Sequence, residues 1–247
     1  MRTLLTILLI ASASFAQATP KQVRVFVALC DNKTQGIVPV GAKIGNGDDP
    51  DANLYWGCSD GFGSFFRHSS RWKVIASDKD ISETILRRLT LRHEDGDINL
   101  VAEAYRGSQI RQCLKDFEEA ASSNKFDVVA FIGHNGLMDF NLEVPKKTQG
   151  NDTETIVLCC VSDEYFRNRL IAVGCRPILM TQQLMYPGSF ILHAAIEKWR
   201  SGANPTDIRA AAASAYARNQ KISVRAATGV FAPPKDQEAQ QDATSNR

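Results

Sequence analysis

Two residues of this chain have the types and placement that nucleophilic chemistry needs: His134 and Cys160. Each closes an apolar run, His134 after DVVAFIG and Cys160 at the end of TIVLCC. A thiol attacks a carbonyl only as the thiolate, and a nearby imidazole can accept its proton. The tetrahedral oxyanion that follows needs fixed N–H donors. The backbone around Asn135 and Gly136, with the Cys160 amide, is placed to supply them. Gly136 has no Cβ and would let a substrate approach the chain closely. The same residues also fit a plainer reading, in which His134 caps a sheet edge and Cys160 fills the core.

For such a pair to meet, the apolar runs must lie side by side as strands. Val23–Cys30, Asp127–Gly133, Thr155–Cys160 and Pro177–Thr181 read as buried strands, and Trp72–Ala76 as a shorter one. Asn99–Tyr105 reads as an edge strand, and Ile81–His93 fits either a helix or an exposed hairpin. Helices are predicted within Leu54–Phe66 and over Ser108–Ser122, Tyr165–Val173, Gly188–Arg200 and Pro205–Asn219. Ser108 and either Asn204 or Thr206 are the expected caps, and Gly174 and Gly202 the expected stops. Continuous apolar strands alternating with helices give an α/β fold. The expectation is a three-layer α/β/α sandwich with a mainly parallel sheet. Function in such sheets collects at the C-terminal edge of the strands. A right-handed crossover sets the His134 and Cys160 strands next to one another. Asp31 and Asn32 end the first strand beside the same cleft and become candidates for substrate contact, although ordinary turn residues would look the same.

The strand-His-turn, strand-Cys-x-Ser order resembles the caspase-like cysteine peptidases, the group of caspases, legumains, gingipains and CHAT domains. Cys160-Val161-Ser162 is similar to their Cys-x-Ser segment, and that likeness selects Cys160 over Cys159 as nucleophile. GCRPILMTQ followed by Gly188–Gly202 looks like the strand and helix that follow the cysteine in CHAT domains. The likeness spans roughly residues 99–203, judged on element order. In this chain Asn135 stands between the histidine and the usual glycine, and Val161 replaces the polar residue often found after the cysteine. The resemblance implies a peptide or protein substrate, no cofactor, and a pocket lined by Gln182 and Gln183 that would not demand a charged residue. The chain also resembles exported bacterial proteins of unassigned activity that share GHNGLMDF and NLYWG segments. Two alternatives stay open: a non-catalytic exported binding protein using the same cleft, and a sugar-binding envelope protein built on Tyr55, Trp56, Phe62, Phe65 and Phe66. Helical spacing places most of those rings in the core instead.

The whole chain narrows the setting. Met1-Arg2, the apolar run Leu4–Ile10 and Ala16-Gln17-Ala18 read as a secretory signal cut after Ala18. That predicts an exported protein, periplasmic or extracellular, with one domain over 19–231 and a disordered tail over 232–247. No cysteine near the cut suits a lipid anchor, and no later segment is apolar for long enough to span a bilayer. The 29 basic and 27 acidic residues nearly balance and the basic ones are scattered, which argues against nucleic acid or an anionic membrane as partner. The six cysteines lack zinc-site spacing, so no metal is expected. Most read as buried small hydrophobes, and Cys159-Cys160 could alternatively form a vicinal disulfide. GNGDDPDAN fails the calcium-loop spacing and reads as a capping loop. Neither glycosylation pattern, at Asn32 or Asn151, carries weight alone. His68, His93 and His193 show no partner pattern, and His193 reads as a hydrogen-bonded core histidine.

Overall fold

The computed structural model describes residues 19–143, 146 and 150–235. Among the described residues, seven strands form one sheet in the order β2-β3-β4-β1-β5-β6-β7. They are β1 (Lys21–Ala28), β2 (Trp72–Lys79), β3 (Ile85–His93), β4 (Ile98–Tyr105), β5 (Val128–Ile132), β6 (Glu154–Leu158) and β7 (Arg176–Leu179). The five strands from β4 to β7 run parallel, while β2 and β3 extend the sheet as an antiparallel hairpin. Within residues 81–93, Ile85–His93 is thus the second strand of that hairpin. β4, read as an edge strand, is internal because that hairpin covers its outer side.

Alternation along the central strands feeds two cores. Val25, Val27, Ala130, Ile132, Ile156 and Leu158 face one layer, made by α1 (Phe62–His68), α4 (Ser189–Arg200), α5 (Pro205–Gln220) and α6 (Val224–Thr228). Phe26, Val129, Phe131 and Val157 face the other, made by α2 (Ile110–Ser122) and α3 (Ser162–Ala172). Helices therefore cover both faces, as parallel strands lacking a polar face require.

Several boundaries move for visible reasons. The aromatic segment stays in turns until Gly61, because a Cβ at Gly57 would meet the Asp51 carbonyl oxygen at 2.1 Å and one at Gly61 the Trp56 backbone at 2.6 Å. Its side chains are core as expected: Tyr55, Trp56, Phe62 and Phe66 are buried, with Phe65 partly so. A short 3-10 turn at Gly107–Gln109 precedes α2, and Ser108 makes no capping bond. Asn204 does cap α5, accepting the Asp207 N–H at 3.0 Å. Gly174 and Gly202 take the left-handed backbone that ends a helix, at φ +88° and +77°.

The chain stays packed beyond the expected start of the tail. Ala232 is buried, and its N–H donates to the Met180 carbonyl at 3.0 Å. Lys235 lies 3.4 Å from the Asp163 carboxylate. Residues 236–247 and the proposed signal, 1–18, lie outside the described residues. Among the described residues, no helix is long and apolar enough to cross a membrane.

Candidate active site

His134 and Cys160 stand on neighbouring strand ends. β5 and β6 pair in parallel with Ile132 opposite Leu158, and each residue of interest follows two positions later. Asn135 ties the two ends together: its Nδ2 donates to the Cys160 carbonyl at 2.7 Å, while its Oδ1 accepts the Leu137 N–H at 3.2 Å. Asn135 is fully buried, so its side chain is a structural clamp.

The histidine is held by a residue that sequence reasoning did not single out. His134 Nε2 lies 2.8 Å from Asp139 Oδ2, and the same oxygen accepts the Gly36 N–H at 2.9 Å. A carboxylate only accepts, so it holds the ring proton on Nε2 and leaves Nδ1 as the lone pair able to take another. The 3-10 turn Gly136–Met138 folds Asp139 back beneath the ring. The sequence signal was there as His-x4-Asp, but that spacing becomes a contact only through the turn.

Cys160 sits on a tight strand-to-helix corner. Val161, which follows it, has φ +51° and ψ +37°. A β-branched residue in the left-handed region costs on the order of 1–3 kcal/mol and persists only where its surroundings impose it. Here Val161 N–H donates to the Gln183 carbonyl at 3.1 Å, and α3 starts at once, Ser162 N–H bonding Thr181 Oγ1 at 3.1 Å. Cys160 as a residue is partly exposed. Its sulfur accepts the Met185 N–H at 3.4 Å and faces the Met185 carbonyl at 3.7 Å. Among the described residues, no hydrogen bond joins it to His134.

Cys159 points the opposite way, into the core with Phe131 and Phe166. Burial pushes its thiol well above the usual cysteine range, pushes Cys30 and Cys175 up to about 11, and raises Cys58 and Cys113 as well. These five thiols are poor nucleophiles at neutral pH, since the thiolate is the attacking form. All six cysteines are unpaired, including the vicinal two.

The remaining candidates divide. Gly136 N–H donates to the His134 carbonyl at 3.0 Å, so it is not free for an oxyanion. Its missing Cβ makes room for the Phe140 ring, which would lie 2.8 Å away, rather than for a substrate. The backbone N–H groups of Asn135 and Cys160 donate to no acceptor among the described residues. Asp31 is buried and accepts from Lys33 N–H at 3.0 Å and from the Thr34 hydroxyl at 2.6 Å. Asn32 spends both amide atoms on the Val40 backbone, at 2.8 and 3.0 Å. Both side chains bond within the turn that follows β1. Gln182 Nε2 donates to the Gly229 carbonyl at 3.0 Å, whereas Gln183 is exposed beside the corner. No group of three or more ligating side chains fit for a metal occurs among the described residues.

Three loops that converge on this edge carry exposed apolar side chains. Val38 follows Gly36, Met138 precedes Asp139, and Leu184 precedes Met185, with 87, 46 and 73 % of their surfaces exposed.

A scan against protein-family models and searches of curated proteins and of solved structures find no match to this chain.

Proposed function

We propose that the chain is an exported cysteine hydrolase with a caspase-like fold, cleaving peptide bonds through Cys160 and His134. The observation that carries this reading is the 2.8 Å pairing of His134 Nε2 with Asp139, on the strand end adjacent to that of Cys160. A carboxylate, an imidazole and the one thiol that sits on a strained corner make a nucleophile, a base and an orienting group.

The sequence of events follows from these groups. The Cys160 proton moves to His134 Nδ1, and the sulfur attacks the peptide carbonyl. The oxyanion is received by the unpaired N–H group of Cys160, while buried Asn135 holds the corner through the Cys160 carbonyl. The imidazolium, steadied by Asp139, then protonates the leaving amine. Water attacks the thioester with His134 as base, releasing the acid and restoring the thiol. Reaching the sulfur requires displacing its contacts with the Met185 backbone, and catalytic hydrogen bonds commonly tighten only once substrate is bound.

Those Met185 contacts also favour a second reading, a non-catalytic binding protein that uses the same cleft. The two readings part on turnover. The rim of Val38, Met138 and Leu184, with neutral Gln183 beside it, suits apolar side chains flanking the scissile bond. Incubation of residues 19–247 with a mixed peptide library, read by mass spectrometry, should give cleavage next to leucine, methionine or phenylalanine. Leu184→Asp should lower kcat/KM for those peptides about tenfold, the effect expected from one lost apolar contact. Binding without cleavage would leave only the second reading standing.

A further inference from the structure

A second cleft of about 630 Å³ opens where the C-terminal end of α1 meets α4, and none of its lining residues belongs to the Cys160 site. Ser69 and His193 face one another there, Ser69 Oγ lying 2.9 Å from His193 Nε2. We infer that Ser69 and His193 form a second nucleophile–base pair that takes small acyl esters.

Three features support the assignment. The first is a ring held in place: His193 packs edge-on against Phe65, with centroids 5.6 Å apart, and tilted against Phe66 at 5.4 Å. A base fixed by packing loses little freedom on reaction. The second is the serine's geometry. Ser69 is the first residue past α1, in extended backbone, and its oxygen accepts the Arg71 N–H at 3.3 Å. With His193 in its Nδ1–H tautomer, the hydroxyl proton is directed to Nε2. The third is access, because the pair opens on the cleft between Ser64, Phe65, His68 and Ser70. Burial holds His193 below the usual histidine range, with Arg71 and His93 acting in the same direction and Glu197 against them. The ring is neutral at neutral pH, as a base must be.

In the reaction, Ser69 Oγ attacks the ester carbonyl while its proton passes to His193 Nε2. The C–O bond to the alcohol then breaks, and the alcohol leaves with that proton. Water, deprotonated by His193, hydrolyses the acyl-serine to the free acid. The pocket is open and small, so it fits a short acyl group rather than a folded chain.

A fluorophosphonate probe reports on such a serine, because the oxygen displaces fluoride at phosphorus only when its proton is taken up. On residues 19–247 the probe should modify Ser69, mapped by peptide mass spectrometry. The adduct should be lost in Ser69→Ala, form at least tenfold more slowly in His193→Gln, and be unchanged in Cys160→Ala. The unmodified sequence should also label faster as pH rises through the His193 titration, then level off. This readout does not depend on any variant folding. No adduct on Ser69, equal labelling in a folded His193→Gln protein, or a flat pH profile would each overturn the assignment. The Cys160→Ala arm keeps the result separate from the fate of the peptide hydrolase.

Discussion

Cys160→Ala is expected to reduce peptide hydrolysis by at least about a thousandfold, because a covalent mechanism loses its attacking atom while substrate binding and the oxyanion donor remain. The melting temperature should barely move. Cys160 is only partly buried, and its sulfur bonds weakly to one backbone segment. Cys159→Ala should do the reverse. Its side chain is fully buried against Phe131 and Phe166, so removing the sulfur leaves a small void costing about 1 kcal/mol, with hydrolysis retained. Fluorogenic peptide assays and thermal melts on the two proteins check both halves. Equal loss of activity in the two variants would mean that the site is merely unfolding.

The largest expected effect on stability lies at Arg169. Glu118 on α2 is almost fully buried, and Arg169 on α3 grips its carboxylate with two bonds of 2.7 Å. The same guanidinium donates to the carbonyls of Leu142 and Glu143, at 2.9 and 3.1 Å, and so anchors the chain that follows the His134 turn. Arg169→Met strands a buried carboxylate and should cost about 3–5 kcal/mol, measured by chemical denaturation. The double variant Glu118→Leu with Arg169→Met should recover most of that loss, since the penalty comes from the orphaned charge rather than from missing attraction. Recovery of stability without recovery of activity would show that the arginine also positions the loop after Asp139.

How far the sequence disclosed this site depends on the element. DVVAFIG and TIVLCC were legible because strands buried on both faces are continuous apolar runs. The ILRRLTLRH run was not, because a bulge between Ile85 and Arg87 shifts its inward parity. Leu89, Leu91 and His93 alternate inward, while Leu86 falls out of step. The apolar spacing starts α3 at Tyr165, three residues after its true start at Ser162. Ser162, Asp163 and Glu164 look like loop residues, and nothing local announces that Val161 takes a left-handed turn to start a helix at once. Asp139 was missed because its role depends on a turn and on Gly36, which lies 103 residues away. Asp31 and Asn32 fit a substrate contact and a turn equally well in sequence, and in the fold both bond within their turn, while the Gly136 N–H bonds the His134 carbonyl. A polar residue at a strand end serves the turn as readily as the cleft, and only its hydrogen-bond partners in the fold separate the two. The short α6 carries too few apolar residues to announce itself.

In the proposed hydrolase, one thiol is set apart by its surroundings and served by one histidine. The most direct measurement is the rate of iodoacetamide modification at each of the six cysteines near neutral pH, by peptide mass spectrometry, in residues 19–247 and in its His134→Ala variant. Cys160 should react at least tenfold faster than any of the others, and His134→Ala should slow it toward their rates. A Cys160 that reacts no faster than Cys58, or one whose rate is indifferent to His134, would contradict the hydrolase and leave a binding protein with a shared cleft.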